Sequence, residues 1–418
     1  MRHRILLPCL ALLLLSGRLL RAEDHNTDEP LDIGKRLELF MDDDLIDSLT
    51  GEIDLKLHTP SSAGQVLDFY KPWEGTTCFY VSVVHGEGLY RMYYRGHSLP
   101  SAMAPSLVTP GETVVPEHKE VTCYAESRDG RTWSKPSLGI VEFQGSKDNN
   151  IIWDGFGTHN FMVFLDTNPA TPAEQCYKAL ATGKPNRPQK RVVGMVSADG
   201  IHWKPLREKA LLTQRPTDYG GDEFLWDSVR GEYVAYLRVW YPSRWQDPNN
   251  QRRPTIRAIG RATSPDFLNW SDLEDIDLGG APQDHFYTNG ITPYFQAPHI
   301  FLGFPKRFVP WRTRISDAPE NGSSDTVFMT RRDGLHWDRT FLESFIRPGR
   351  DPKNWINRNN MTSTGLVETG EDEILLYVFR NYKSPSIHME RMTLRTDGFA
   401  SLRARYSGGE VLTHPLRF

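Results

Sequence analysis

The sequence predicts an all-β fold: a five-bladed β-propeller with four-stranded blades, its ring closed by an N-terminal strand. Three observations predict it. A strand, a tight turn built on Asp and a strand opening on Trp recur as Ser127-Arg128-Asp129-Gly130-Arg131-Thr132-Trp133, Ser197-Ala198-Asp199-Gly200-Ile201-His202-Trp203, Ser264-Pro265-Asp266-Phe267-Leu268-Asn269-Trp270 and Arg331-Arg332-Asp333-Gly334-Leu335-His336-Trp337, with a shortened copy at Arg395-Thr396-Asp397-Gly398-Phe399. The turn aspartates stand 70, 67, 67 and 64 residues apart, a period too long for a solenoid of helices, and each interval holds about four strand-like runs, enough for one blade. Phe, Trp and Tyr make up 11% of the chain, with 33 Gly and 29 Pro, which suits many short strands joined by many turns.

In chain order, Met1-Arg2-His3-Arg4 followed by the apolar run 5–15 has the layout of a secretory leader with cleavage near Ala22, so the mature protein is expected to be secreted or periplasmic. Residues 23–36 are polar and read as a flexible segment, and 37–418 as the propeller. Runs 36–41 and 55–58 read as strands ahead of the first repeat, either of which would close the ring. Within the repeats a first apolar run (79–84, 161–165, 223–226, 287–294, 364–367) is followed by a second (89–94, 177–181, 233–239, 299–304, 374–379); the third enters the Asp turn and the fourth carries the Trp. The recurring Trp is expected to pack between blades, and the Asp to cap its own turn. Segments 99–119 and 241–254 read as rim loops.

Composition excludes several classes. The net charge of −4 becomes −8 once the leader's Arg2, Arg4, Arg18 and Arg21 are removed, and no basic block points to nucleic acid. No segment has the apolar length of a membrane span. Cys78, Cys123 and Cys176 remain, an odd number without paired spacing, and are expected to be free buried thiols. No phosphate loop, dinucleotide fingerprint or nucleophile elbow is present. No cofactor is expected, although carboxylates at the axis would suit a structural calcium ion. A monomer is expected.

In a propeller the innermost strands start on one face near the axis, so the polar residues before each first run should share a funnel. These include Trp73 and Glu74 in the first unit; Asp154, His159 and Asn160 in the second; Asp218 and Asp222 in the third; Asp284 and His285, followed by Tyr287, in the fourth; Arg358 and Asn360 in the fifth. The second strands return to the same face, bringing Arg95, Arg238, Arg307 and Arg380. Two carboxyls flanking a glycosidic bond are the minimum for its hydrolysis, one protonating the leaving oxygen and the other attacking or activating water. Glu74, Asp154 and Asp218 are the catalytic candidates, with Glu74 or Asp218 as proton donor because burial near Trp73 or Tyr219 would raise a carboxyl pKa. Trp73 suits stacking on a sugar ring; His159, Asn160, Asp222, Asp284, His285, Tyr287 and Asn360 suit sugar hydroxyls. Arg95, Arg238, Arg307, Arg358 and Arg380 suit an anionic substituent. The reading is a secreted glycoside hydrolase acting on a carbohydrate, an anionic one if the arginines bind it. The alternatives are a non-catalytic carbohydrate-binding propeller and a structural protein whose acids and arginines merely pair.

Lys71-Pro72-Trp73-Glu74-Gly75, Tyr90-Arg91-Met92-Tyr93-Tyr94-Arg95-Gly96, His159-Asn160-Phe161, Ala297-Pro298-His299-Ile300-Phe301-Leu302-Gly303-Phe304-Pro305 and Leu394-Arg395-Thr396-Asp397-Gly398-Phe399 resemble secreted, planctomycete-type bacterial proteins grouped with the N-terminal propeller of glycoside hydrolase family 32. The resemblance spans about residues 32–418. It implies a five-bladed propeller related in shape to families 32, 43 and 68, with one acid on each of the first three blades. Glu74, Asp154 and Asp218 match those acids by blade position alone. The Asn-Asp-Pro-Asn, Arg-Asp-Pro and Glu-Cys motifs of family 32 invertases are absent, so fructan or sucrose cleavage does not carry over. Residues 405–418 resemble the lead-in to a C-terminal β-sandwich found in longer relatives.

Overall fold

A computed structural model describes residues 29–99, 107–182, 192–212, 223–242, 255–315, 318, 320–370 and 372–418. The leader, Asp218, Asp222 and most of the expected rim loop 241–254 lie outside these residues. The described chain is all-β, built from several four-stranded sheets in an arrangement consistent with a propeller.

Strands β1 (Leu31–Asp32), β2 (Ile46–Leu57) and β3 (Ser61–Asp68) precede the repeats. The first repeat sheet holds β4 (Phe79–Gly86), β5 (Leu89–Gly96), β6 (Val121–Ser127) and β7 (Ile151–Trp153) in sequence order. The second holds β8 (Asn160–Leu165), β9 (Tyr177–Thr182), β10 (Val192–Ser197) and β11 (Lys204–Pro205). The third holds β12 (Glu223–Asp227), β13 (Glu232–Pro242), β14 (Thr255–Ser264) and β15 (Glu274–Asp275). All neighbours in these sheets are antiparallel. Their inner strands are buried on both faces and read as near-continuous apolar runs, which is why the first and second runs were legible in the sequence.

The fourth unit departs from the expected single four-stranded sheet. Strands β16 (His285–Thr288), β17 (Thr292–Tyr294), β18 (Ala297–Gly303), β19 (Lys306–Val309), β20 (Ser323–Thr326) and β21 (Met329–Arg331) form two three-stranded sheets, β16-β19-β20 and β17-β18-β21. Pro305 stands where the second run would pass from β18 into β19 and has no N–H to give the ladder. Opposite it, Gly290 takes a positive φ of 56°, so the unit bends at its middle. Phe304 N donating to Asn289 O and Val327 N donating to Pro305 O hold the two halves together.

The fifth sheet joins the ends of the chain. Strands β22 (Val367–Gly370), β23 (Glu373–Arg380) and β24 (His388–Arg395) are completed by β3, which pairs antiparallel with β24. Neither expected segment fills this place: 36–41 is irregular, and 55–58 falls at the end of β2. The side chains of 36–44 are tied to the fourth unit instead. Glu38 bonds Arg332 and His299, and Asp42 bonds Arg332 and Thr330. Strand β25 (Ala400–Thr413) pairs along β2 in a long two-stranded ribbon, and β26 (Leu416–Arg417) pairs parallel with β1. Thus much of 405–418 lies in pairings with the N-terminal strands.

Three of the turn aspartates cap their own turns. Asp129, Asp199 and Asp266 each accept two backbone N–H bonds through Oδ1, at 2.7 to 2.8 Å. Two of the Trp residues that follow reach a tyrosine of the neighbouring unit's second strand, Trp203 meeting Tyr93 at 6.1 Å between ring centres and Trp337 meeting Tyr236 at 5.6 Å, whereas Trp270 packs against Phe224 and Phe267 of its own unit. Trp133 of the first unit meets Tyr377 of the fifth at 5.5 Å by the same rule. The first and fifth units also touch through backbone, Val83 N donating to Thr364 O and Thr364 N to Val81 O. Gly365 permits this approach, since a Cβ there would stand 2.5 Å from Val83 O. Cys78, Cys123 and Cys176 are free thiols, the first two buried.

Candidate functional site

Side chains from all five units converge on Tyr287 of β16. From the first unit comes Tyr80, held at φ 51° where the β4–β5 register slips between Phe79 and Ser82; its Oη lies 3.0 Å from Tyr287 Oη. Arg95 of β5 lies over the Tyr80 ring at 5.2 Å and donates to Thr77 O at 2.9 Å. From the second unit, His159 sets its ring 5.6 Å from Tyr80 and its Nδ1 3.1 Å from Arg95 Nη1. From the third, Arg238 of β13 donates through Nε to the Tyr287 carbonyl at 2.9 Å and places its guanidinium 4.2 Å from the ring centre; Arg257 of β14 approaches to 5.1 Å. The fourth unit's own Lys306 brings Nζ to 4.2 Å, and Arg358, leading into the fifth, comes to 5.9 Å. Arg358, like Tyr80, is held at positive φ, here 71°. Left-handed backbone at two non-glycine residues of one cluster is the kind of strain that concentrates at functional sites.

Burial is graded across this cluster. Lys306 is fully enclosed and Tyr80 nearly so, Tyr287 keeps 8% of its surface, and the Arg358 side chain keeps 34%. Two half-buried carboxylates flank it. Glu120 accepts from His159 Nδ1 at 2.8 Å with Arg95 at 3.5 Å; Glu320 meets Lys383 at 2.9 Å, Arg358 at 3.7 Å and the Asn357 amide at 2.7 Å. Arg95 Nε, Arg358 Nε and the side-chain amide of Asn160, the residue after His159, are buried without a hydrogen-bond partner.

The charges set the protonation states. Burial by itself would keep Tyr287 protonated, but Arg358, Arg238 and Arg257, with the hydrogen bond from Tyr80, outweigh it and bring the phenol down to about 8. Tyr80 moves the other way because burial outweighs the nearby arginines, so it keeps its proton and is the donor once Tyr287 ionises. Burial, aided by Arg358, Arg257 and Arg238, pushes the Lys306 ammonium well below its ordinary range. Burial opposes ionisation of Glu120, yet His159 and Arg95 hold its carboxyl down at about 2. Against the same opposition, Arg358 and Lys383 hold Glu320 below the usual carboxylate range.

Of the residues singled out in the sequence, Arg95, His159, Arg238, Tyr287 and Arg358 are brought together here. His285 joins at the edge, its Nε2 3.1 Å from Arg257 Nη1 and its ring against Trp240 and Phe308. Glu74 is elsewhere. Its carboxylate is completely enclosed, ion-paired with Lys135 at 2.6 Å and hydrogen-bonded by Tyr94 Oη at 2.7 Å and Lys71 N at 3.0 Å. Asp154 is half-exposed and pairs with Lys119 at 2.7 Å. Trp73 donates to Asn150 Oδ1 at 2.6 Å and packs edge-on to Phe143. Asp284 and Arg307 belong to an ion network of the fourth unit, with Arg339 and Asp325. Asn360 and Arg380 bond each other, and Arg380 also pairs with Glu390.

Sequence reasoning missed Tyr80, Glu120, Arg257, Lys306 and Glu320. For Lys306 a signal existed. Neighbouring residues on a strand face opposite ways, so choosing Arg307 from the pair Lys306-Arg307 chose the wrong face. Among the described residues no group of three or more His, Cys, Asp or Glu is placed to hold a metal ion, and no helix is long and apolar enough to cross a membrane.

No protein-family model matches the chain, and no curated protein matches it. Solved structures do. One, named as a glycoside hydrolase, superposes with a TM-score of 0.54 at 11% identity, covering 84% of this chain and 96% of its own. Another, an N-acetylgalactosamine deacetylase from F. plautii in complex with blood group B trisaccharide, gives 0.52 at 12% identity over 81% and 95%. At such identities the likeness is one of fold.

Proposed function

We propose that this protein cleaves glycosidic bonds in an anionic poly- or oligosaccharide, at the axis of a five-bladed ring closed by β3. The convergence of Tyr80, Arg95, His159, Arg238, Tyr287, Lys306 and Arg358 from all five units carries this reading. Arg95, Arg238, Arg257 and Arg358 gathered around one buried phenol suit a carboxylate- or sulfate-bearing ligand. The contact of Trp133 with Tyr377, which repeats between the first and fifth units what Trp203 and Trp337 do elsewhere, supports the closed ring. Carbohydrate as the ligand class accords with the names of the two fold neighbours given above. Export by way of the first 22 residues, and the kinship to family 32 propellers, belong to the same proposal.

The experiment is to incubate the purified protein with uncharged, sulfated and uronate-bearing polysaccharides and follow chain length by size-exclusion chromatography. Shortening of an anionic glycan, weakening as salt rises, is expected. Failure to shorten any glycan overturns cleavage. Binding without shortening favours the carbohydrate-binding alternative, for which there is a specific observation: Glu120 and Glu320 are both already ion-paired.

A further inference from the structure

Hydrolysis by two carboxyls needs one of them protonated beside the leaving oxygen. The described carboxylates of the central cluster, Glu120 and Glu320, are instead held ionised by Arg95, His159, Arg358 and Lys383. What the cluster offers is a phenol at its centre with cations on several sides. Resting on the glycan-cleaving reading above, we infer that Tyr287 cleaves a uronate-bearing glycan by β-elimination, taking the proton from C-5 of the uronate and returning it to the departing glycosidic oxygen, while the surrounding cations hold the uronate carboxylate.

The atoms balance without water or a redox partner. The ionised Tyr287 Oη accepts the C-5 proton. The electron pair of that C–H bond becomes the C-4 to C-5 double bond as the C-4 to oxygen bond breaks. The departing oxygen takes the proton back from Tyr287, leaving one product with a free hydroxyl, the other with an unsaturated uronate end, and the tyrosine ionised as it began. Negative charge grows on the uronate carboxylate as C-5 loses its proton, which is where fixed cations lower a barrier most.

Each element packed around Tyr287 has a part in this. Tyr80 of β4 donates to its Oη; Arg238 of β13, Arg257 of β14, Lys306 of β19 and Arg358 ahead of β22 surround its ring. Arg95 and His159 stand behind Tyr80, with Glu120 behind them, and Glu320 holds Arg358 and Lys383 from the far side. Arg358 is the cation best placed to meet a ligand, since a third of its side chain is exposed and its buried Nε lacks a partner. With the phenol titrating at about 8, part of it is already a base near neutral pH.

The test uses a polyuronate, its carboxyl-reduced counterpart and water enriched in heavy oxygen. Elimination predicts products that absorb in the ultraviolet through the conjugated double bond, carry no heavy oxygen, and do not arise from the carboxyl-reduced polymer. Tyr287→Phe should lower the rate by about 100-fold or more, with the unfolding midpoint at pH 7 and polyuronate binding retained. Cleavage that incorporates heavy oxygen and leaves no double bond overturns elimination while leaving glycan cleavage standing. A Tyr287→Phe variant as fast as the parent overturns the role of the phenol. An assay independent of activity is the ultraviolet titration of tyrosinate: the parent should show a step near pH 8 that Tyr287→Phe lacks, and its absence from the parent overturns the inference.

Discussion

Two arginine clusters in this molecule are built on opposite plans. In the fourth unit Asp325 is fully enclosed and takes two bonds from Arg307 at 3.0 Å, one from Arg312 at 2.8 Å and one from Ser344 Oγ at 2.5 Å, while Asp284 takes Arg339 at 2.8 Å. A carboxylate stands at the centre, and its charge is fixed over the whole physiological range. In the central cluster Arg238, Arg257, Arg358 and Lys306 gather on Tyr287, and the centre is a phenol whose charge depends on pH. The first arrangement joins strands. The second keeps cations around a group that can exchange a proton.

That contrast can be broken most forcefully at Asp325. Asp325→Asn leaves Arg307 and Arg312 facing an uncharged partner inside the protein and should destabilise the fold by about 3 to 5 kcal/mol, measured by denaturant unfolding. It should leave the tyrosinate titration untouched. Glu74→Gln tests whether Glu74 also belongs to the first plan. With Lys135 largely buried beside it, the substitution should cost about 3 kcal/mol, and adding Lys135→Met should recover much of the loss. A Glu74→Gln variant of unchanged stability would remove it from this group.

The central cluster gives the opposite signature with pH. Tyr287 ionises at about 8 in the folded chain, against roughly 10 for an unfolded tyrosine, so as pH rises the folded form loses its proton first. The stabilisation is fully present above the unfolded value and is lost as pH falls through 8. Between those limits the parent should gain about 2 to 3 kcal/mol over Tyr287→Phe, and a flat difference in unfolding free energy across that range would contradict the cluster's electrostatics. The smallest effect is expected at the Asp154–Lys119 pair, both of whose side chains are well exposed. Lys119→Ala should shift stability by less than about 0.5 kcal/mol, which an unfolding midpoint will show.

The legible parts of the sequence were those in which one residue reports on its own strand or turn. The Ser-x-Asp turns and the first and second runs of the first three units stand close to where their pattern put them, because a strand buried on both faces must be apolar and a tight turn needs an acceptor for its own N–H groups, whereas the Trp expected on a fourth strand lies outside the strands. Arg95, His159, Arg238, Tyr287 and Arg358, read as a group from their like positions in the repeats, come together around two tyrosines. The misplacements fall where local pattern is silent. Pro305 divides the fourth unit, Ser61–Asp68 completes the fifth sheet in place of a more apolar segment, and Lys306 rather than Arg307 faces the phenol.

By itself, then, the sequence determined the repeat, its period and the turn chemistry, since these depend on residues a few positions apart. Tertiary structure alone decided which charges meet. Glu74 finds Lys135 some sixty positions away and is held in an ion pair, while Tyr287 meets Tyr80, Arg238 and Arg358 from three other units and is drawn toward ionisation. A side chain's proton affinity depends on the distance to other charges and on the water excluded between them, and neither quantity exists until the units have packed.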